Sequence, residues 1–216
     1  PLMGQKILIT AGPTYEPIDP VRYIGNHSSG KMGYAIANEA ASQGAEVVLI
    51  SGPTDEIPIH PAIRLVRTSS TDEMLESCLQ DFDDCNILVM AAAVADYKPK
   101  NLKKNKIKKT ENTSYIELVK TVDILQQLAE KKSNQLLVGF SLETENELAN
   151  AKSKLLKKNL DAIVLNSLAD KGAGFQHNTN KITFIPAKGK HKTYPLKNKS
   201  EVAIDILDEI KTMIDA

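Results

Sequence analysis

Tryptophan is absent from the 216 residues, and aromatic side chains make up only 5% of them. Aromatics this sparse and scattered give no platform on which bases could stack. With 27 Lys+Arg against 27 Asp+Glu there is no net positive charge to hold a nucleic-acid backbone, and no acidic excess to keep the chain unfolded. Cysteine occurs only at Cys78 and Cys85, without metal-ligand spacing, so both thiols are expected to be reduced and structural. No apolar run reaches the roughly 20 residues that a spanning helix needs, and the N-terminus lacks a signal-peptide pattern. What remains is a cytoplasmic protein with no nucleic acid and no membrane as partner. Its length suits one α/β domain over residues 1–216. The start at Pro1-Leu2 rather than Met points to a piece of a longer chain.

Two glycine motifs are also missing. Gly25-Asn26-His27-Ser28-Ser29-Gly30-Lys31 fits G-x-x-x-x-G-K, but Met32 stands where a P-loop needs a hydroxyl for magnesium. The dinucleotide fingerprint G-x-G-x-x-G is lacking too: the first strand candidate, Lys6 to Thr10, runs into Ala11-Gly12-Pro13-Thr14 and a long polar loop. Tyr-x-x-x-Lys, wanted by a short-chain reductase, occurs nowhere.

What is present is a regular alternation. Lys6–Thr10, Glu46–Ile50, Arg64–Val66, Asn86–Ala92, Gln135–Phe140 and Ala162–Leu165 read as buried strands. Helical periodicity starts near Ser29 and stops at Gly44, and it follows the capping box Ser70-Thr71-Asp72-Glu73. It recurs over Asp123–Lys132, Glu145–Lys158 (with Leu148, Ala151 and Leu155 inward) and Glu201–Ile214. Tyr115–Lys120 is a further strand candidate, and Lys181–Pro186 with Lys192–Leu196 reads as a hairpin around Gly189. Strand–helix–strand repeats predict a Rossmann-like, doubly wound, mostly parallel sheet with a β-hairpin excursion. Ligands then sit beyond the C-terminal strand ends, which brings Gly12–Asn26 and Ala91–Tyr97 together.

The focus of that site is Asn26-His27-Ser28-Ser29-Gly30-Lys31-Met32-Gly33. Small polar residues precede a helical apolar face, so Ser28 to Gly30 sit where unpaired backbone N–H groups and the helix dipole favour an anion. The spacing also fits an ordinary capped helix. His27 serves equally as an orienting hydrogen-bonder or as an acid or base. In Lys98–Lys109 seven of twelve residues are lysine, which fits a solvated loop or a mobile lid that neutralises polyphosphate. Lys154, Lys157 and Lys158 suit a helix C-terminus without any further role. Anion handling of this kind fits nucleotide chemistry, in an enzyme or in a regulatory binding module.

The blocks Ala11-Gly-Pro-Thr14, Asp19-Pro-Val-Arg-Tyr23, Asn26–Gly33, Ala91-Ala-Ala-Val-Ala-Asp-Tyr97, Lys106-Ile-Lys-Lys109, Gly139-Phe140, Glu143-Thr144 and Lys158-Asn-Leu-Asp161 resemble the phosphopantothenate–cysteine ligase family, in order and over nearly the whole chain. The resemblance is to the bacterial form, commonly the C-terminal half of a polypeptide whose N-terminal half is a flavin-dependent decarboxylase. It implies CTP as co-substrate with Mg²⁺, an acyl-cytidylate intermediate, amide formation with cysteine in coenzyme A biosynthesis, and a homodimer with its arm around 180–197. It also implies roles. Asn26, Lys106 and Arg22 would be catalytic. Asn26, Ser29, Gly30 and Ala93 would bind the acid substrate. Met90, Ala91, Ala92, Asp96, Lys106, Val122, Asp123, Ile124, Leu125, Phe140, Lys154 and Lys158 would meet the nucleotide. No metal ligand is assigned. Relatives commonly carry Asn-Pro before Asp-Ile, where this chain has Thr121-Val122.

Overall fold

The computed structural model describes residues 2–108, 115–167 and 177–215. Along the chain, β1 (Lys6–Ala11) leads into a small antiparallel ribbon of β2 (Tyr15–Pro17) and β3 (Tyr23–Gly25), then α1 (Lys31–Ser42), β4 (Glu46–Ser51), β5 (Ile63–Arg67), α2 (Thr71–Phe82) and β6 (Ile87–Met90). A second ribbon, β7 (Tyr97–Pro99) with β8 (Leu118–Lys120), precedes α3 (Ile124–Lys131), β9 (Leu136–Glu143), α4 (Glu147–Lys157) and β10 (Ala162–Ser167). Then come β11 (Thr179–Asn180), β12 (Ile182–Pro186), β13 (Lys192–Thr193), β14 (Lys197–Asn198) and α5 (Lys199–Ile214).

The main sheet has the order β13-β12-β10-β9-β6-β1-β4-β5. The six strands from β10 to β5 are parallel. β12 and β13 join antiparallel, so the predicted hairpin extends the sheet edge, with Gly189 between its strands at φ 109°. Of the Tyr115–Lys120 candidate only Leu118–Lys120 is strand, and it pairs with Tyr97–Pro99 outside the main sheet.

Because strand side chains alternate, each central strand feeds two cores. Ile7, Ile9, Val47, Leu49, Ile87 and Val89 pack under α1 and α5. Leu8, Val48, Ile50, Leu88 and Leu137 pack under α2, α3 and α4. Helices cover both faces, which is why these strands read as continuous apolar runs. One expected inward residue is not: Leu148 is exposed, and Ala151 and Leu155 carry the buried face of α4. Cys78 and Cys85 are free and buried in the second core. Among the described residues no helix is long and apolar enough to cross a membrane.

Caps fix the helix starts that matter. Ser70 Oγ accepts from the Glu73 amide at 3.3 Å, while the Glu73 carboxylate reaches back to the Ser69 amide at 2.7 Å. Asp123 caps α3 by accepting from the Gln126 amide at 3.0 Å. α1 differs: it begins at Lys31 after Gly30, a left-handed residue at φ 79° with no side-chain cap.

Candidate active site

β1 crosses to β4 on one side, and the chain then returns to β6 on the other, so the carboxyl ends of β1 and β6 diverge at the switch point of the sheet. The two outgoing segments stay tied: the Ala93 amide donates to Gly12 O at 2.9 Å, and the Thr14 amide to Ala93 O at 3.3 Å. Above them opens a cleft of about 780 Å³, walled by Asn26, Ser28–Gly33, Met90–Tyr97, Lys120–Leu125, Phe140–Leu142, Lys154 and Lys158; His27 is not part of its wall.

Beside the cleft, main chain packs closely on main chain. A Cβ on Gly52 would lie 1.6 Å from Pro13 O, one on Gly12 3.1 Å from Gly52 O, and one on Gly30 3.4 Å from the Gly12 Cα. Three loops therefore meet backbone to backbone. Gly33 lets α1 settle on β1, since a Cβ there would fall 2.5 Å from the Ala11 Cβ. The anion-favouring start of α1 is thus held at the mouth of the cleft.

Side chains then orient the loops. The Asn26 amide nitrogen donates to Ala93 O at 3.1 Å and to Val94 O at 3.0 Å, joining two of the expected substrate-binding positions directly. Ser28 Oγ accepts from the Gly30 amide at 3.3 Å, and Thr54 donates to Ser29 O at 2.6 Å. Behind the wall lies a buried polar chain. Glu16, 2% exposed, accepts from the Thr71 amide at 2.8 Å and hydroxyl at 2.6 Å. With the Thr71 proton so committed, Thr14 donates across 3.0 Å to Thr71, and its own oxygen accepts from the Ala95 amide at 2.9 Å.

The wall opposite α1 carries charge. Lys154 Nζ donates to Phe140 O at 2.7 Å, and Lys158 Nζ pairs with Asp123 at 2.6 Å. Burial, with Lys158 as a like charge nearby, lowers the Lys154 pKa. Burial would raise the Asp123 carboxyl, but the Lys158 ammonium and the Gln126 amide outweigh it and hold it below its ordinary value. An incoming anion would relieve the repulsion between the two lysines.

Most predicted positions converge. Asn26, Ser29, Gly30, Met90, Ala91, Ala92, Ala93, Asp96, Val122, Asp123, Ile124, Leu125, Phe140, Lys154 and Lys158 all line the cleft. Arg22 and Lys106 do not. Instead Arg22 grips the lysine-rich loop. Asp19, 2% exposed, accepts from the Ile107 amide at 3.0 Å and from the Arg22 guanidinium, while Arg22 donates to Ile107 O at 2.9 Å. Burial would raise the Asp19 carboxyl, yet the Ile107 amide, the Arg22 side chain and the Val21 and Arg22 amides together push it well below the usual carboxylate range. Lys106 is exposed beside this anchor. Lys98 pairs with Asp72 and Lys100 with Glu117, so part of the lysine run is committed to surface ion pairs. Lys109 lies outside the described residues.

Sequence reasoning missed Asp19 as the loop's anchor, and it missed Lys199, Asn166 and Asn180, which line the cleft with Lys31 of the Asn26–Gly33 stretch. Asp19 carried a local signal, since its carboxylate accepts from the amides of Val21 and Arg22, as a turn-forming Asp does. Lys199, Asn166 and Asn180 come from distant elements, and no linear spacing marks them.

The strand order and the cleft at its switch point define a doubly wound α/β protein of the Rossmann class. The chain belongs to the DNA/pantothenate metabolism flavoprotein C-terminal domain family, whose model matches residues 2–214. Among curated proteins it is 50% identical over 99% of its length to a "Cysteine/Cysteine sulfinic acid decarboxylase" of an unknown prokaryotic organism, and covers 60% of that protein. It is 43% identical to the "Coenzyme A biosynthesis bifunctional protein CoaBC" of Bacillus subtilis (strain 168), covering 99% of this chain and 52% of that one. The chain thus spans little more than half the length of these relatives. Among solved structures, the C-terminal domain of a CoaBC matches with a TM-score of 0.84 at 43% identity, covering 99% of both chains.

Proposed function

We propose that the chain is a phosphopantothenate–cysteine ligase of coenzyme A biosynthesis, acting in the cytoplasm. The observation that carries this reading is the coincidence, over 99% of both chains, with the C-terminal domain of CoaBC. The cleft agrees with it, since main-chain donors and lysines gather where two phosphorylated substrates would meet.

In the first step the carboxylate of 4′-phosphopantothenate attacks the α-phosphorus of CTP. The bond to the β-phosphate breaks, and pyrophosphate leaves an acyl-cytidylate. In the second, the amine of cysteine, having lost a proton, attacks the acyl carbon, and the electron pair of the broken C–O bond departs on CMP. A carboxylate at neutral pH resists amines, and the mixed anhydride supplies a leaving group. Asn26 and Ala93 orient the acid, whose carboxylate would face the segment that Asn26 pins. Ser29, Gly30 and the start of α1 present donors to phosphate oxygens. Met90–Ala92, Asp96 and Val122–Leu125 meet the nucleotide, with Phe140 packed on it and Lys154 and Lys158 toward its phosphates. Arg22 and Asp19 hold the loop from which Lys106 reaches developing charge. Among the described residues no three His, Cys, Asp or Glu side chains gather as a metal cage, and Asp96 and Asp123 are the carboxylates among the residues that line the cleft. That donor set fits Mg²⁺ carried mainly by the triphosphate, where it neutralises phosphate charge. We further propose a homodimer, and fusion to a flavin-dependent phosphopantothenoylcysteine decarboxylase in the longer chain.

The test is pyrophosphate release from 4′-phosphopantothenate and Mg²⁺ with CTP or ATP, each with and without cysteine. Release that needs the acid, with amide formed only when cysteine is present, supports the reading. Carbon dioxide from cysteine or cysteine sulfinic acid, with no pyrophosphate, would replace it with the activity named for the 50% identical relative.

A further inference from the structure

Glu16 is the middle residue of β2, where strand alternation turns its carboxylate inward while Tyr15 and Pro17 stay nearer the surface. Glutamate is rarely buried so far unless something answers its charge. The carboxylate's partners among the described residues are the amide and hydroxyl of Thr71, the first residue of α2. That helix does not need it as a cap, because Ser70 and Glu73 already close the first turn. A buried carboxylate that the adjoining helix does not require has its use elsewhere.

The use lies at the far end of the hydrogen-bond chain. Thr71 and Thr14 are both fully buried, and each hydroxyl has one proton to give. The carboxylate accepts the Thr71 proton; Thr71 must then accept from Thr14, and Thr14 from the Ala95 amide. Glu16 thereby sets the direction of every bond in the chain. The last donor belongs to the Val94–Ala95 peptide, whose carbonyl lies on the opposite edge of the same plane. That carbonyl accepts from the Asn26 amide nitrogen at 3.0 Å. One peptide unit is thus gripped at both ends, by Thr14 from behind the wall and by Asn26 from the cleft side. Since the carbonyls of Ala93 and Val94 can only accept, Asn26 is fixed with its nitrogen toward them and its oxygen away. Neighbouring amides are claimed from β1 by simpler means, Ala92 by Thr10 Oγ1 at 3.2 Å and Ala93 by Gly12 O at 2.9 Å. Of these three acceptors, only the Thr14 hydroxyl is oriented by a carboxylate.

We propose that Glu16 is a positioning residue for Asn26, acting through Thr71, Thr14 and the Val94–Ala95 peptide to fix which way the Asn26 side-chain amide faces. The proposal rests on the ligase reading above for the reaction that Asn26 serves. With the acceptor at Glu16 lost, one buried hydroxyl proton has no partner, the Thr14–Ala95 bond loses its fixed direction, and the peptide can turn. Asn26 would follow the Val94 carbonyl, and a small misplacement of a catalytic group costs rate. The nucleotide wall that carries Lys154 and Lys158 is not part of this chain of bonds, so affinity for CTP should be spared.

The test uses Glu16→Met, which keeps the bulk and removes the acceptor, and Glu16→Gln, whose Oε1 can still accept. Thr71→Val removes one hydroxyl with little change of shape. Each is taken alone and with Asn26→Ala, in single-turnover pyrophosphate release and in calorimetric binding of CTP, with urea unfolding to establish that the chain is folded. Glu16→Met and Thr71→Val should each slow release on the order of tenfold with CTP affinity nearly unchanged, and Glu16→Gln should keep most of the rate. In the Asn26→Ala background the same two substitutions should cost less than about twofold, because their route to the reaction is already cut. Exchange of the Ala95 amide should quicken in both variants, while that of Ala93, bonded to Gly12 O, stays protected. Losses that multiply unchanged with Asn26→Ala overturn the proposal and leave Glu16 a structural residue. So does a Glu16→Gln as slow as Glu16→Met, or an Ala95 amide that keeps its protection. Should Glu16→Met or Thr71→Val fail to fold, Thr14→Val against Thr14→Ser puts the same question at the last hydroxyl, with the same outcomes deciding it. A wild type that releases no pyrophosphate overturns the ligase reading, and Ala95 exchange then decides the positioning chain by itself.

Discussion

Asp19 and Ile107 are 88 residues apart in the chain and 3.0 Å apart in the fold, the carboxylate of one accepting from the amide of the other. Arg22 closes the arrangement by donating to the Ile107 carbonyl, so both polar ends of that residue's backbone are held. Asp19→Asn should loosen the lysine-rich loop. Trypsin should cut within 98–108 severalfold faster than in the wild type, with the sheet amides keeping their exchange protection. The pH dependence has a definite sign. A carboxylate whose pKa is lowered on folding stabilises fully above its unfolded value of about 4, and that contribution drains away as pH falls below it. The melting temperatures of wild type and variant should therefore converge in acid. A gap of unchanged size between pH 6 and pH 2 would show that the effect is not ionic.

Lys106 lies outside the cleft wall, next to the residue that Asp19 and Arg22 grip. Its charge should act mainly as pyrophosphate leaves. Lys106→Gln is expected to slow pyrophosphate release by roughly 10²-fold while changing CTP affinity much less, measured by single-turnover release against equilibrium binding. Equal losses in both would reduce Lys106 to a binding residue.

Gly33→Ala tests the seating of α1 on β1. The added methyl would meet Ala11 at 2.5 Å and Thr10 O at 3.0 Å, and both belong to a strand paired on both sides. The helix must lift, at a cost of roughly 1–3 kcal/mol. Urea unfolding gives the loss directly, and a neutral result would show that α1 can slide.

The thiols of Cys78 and Cys85 are pushed up to about 12, in both cases chiefly by burial. With almost no thiolate at pH 8 they should react with Ellman's reagent only as fast as the fold opens. Two equivalents should titrate promptly in guanidinium, and prompt reaction in the native state would contradict the packing described.

What the sequence disclosed divides along a physical line. The strands and helices were legible because their signals are local: the apolar run at Lys6–Thr10, the cap at Ser70, the positive-φ Gly44 after α1. Because Rossmann topology gathers strand ends, the convergence of Asn26 with Ala93 followed too. Leu148 misled because periodicity does not say where a helix stops touching its neighbours. The hold of Asp19 on Ile107 and the place of Lys199 were invisible for a related reason. The partner of Asp19 is 88 residues away, and nothing linear shows that α5 delivers a buried ammonium to a cleft formed by β1 and β6.

The glycine packing beside the cleft has a consequence for variation. Adding even one carbon at Gly52 collides with Pro13 O at 1.6 Å, and one at Gly12 or Gly33 meets backbone or the neighbouring strand. A library randomised at these three positions and selected for folding should return glycine almost alone.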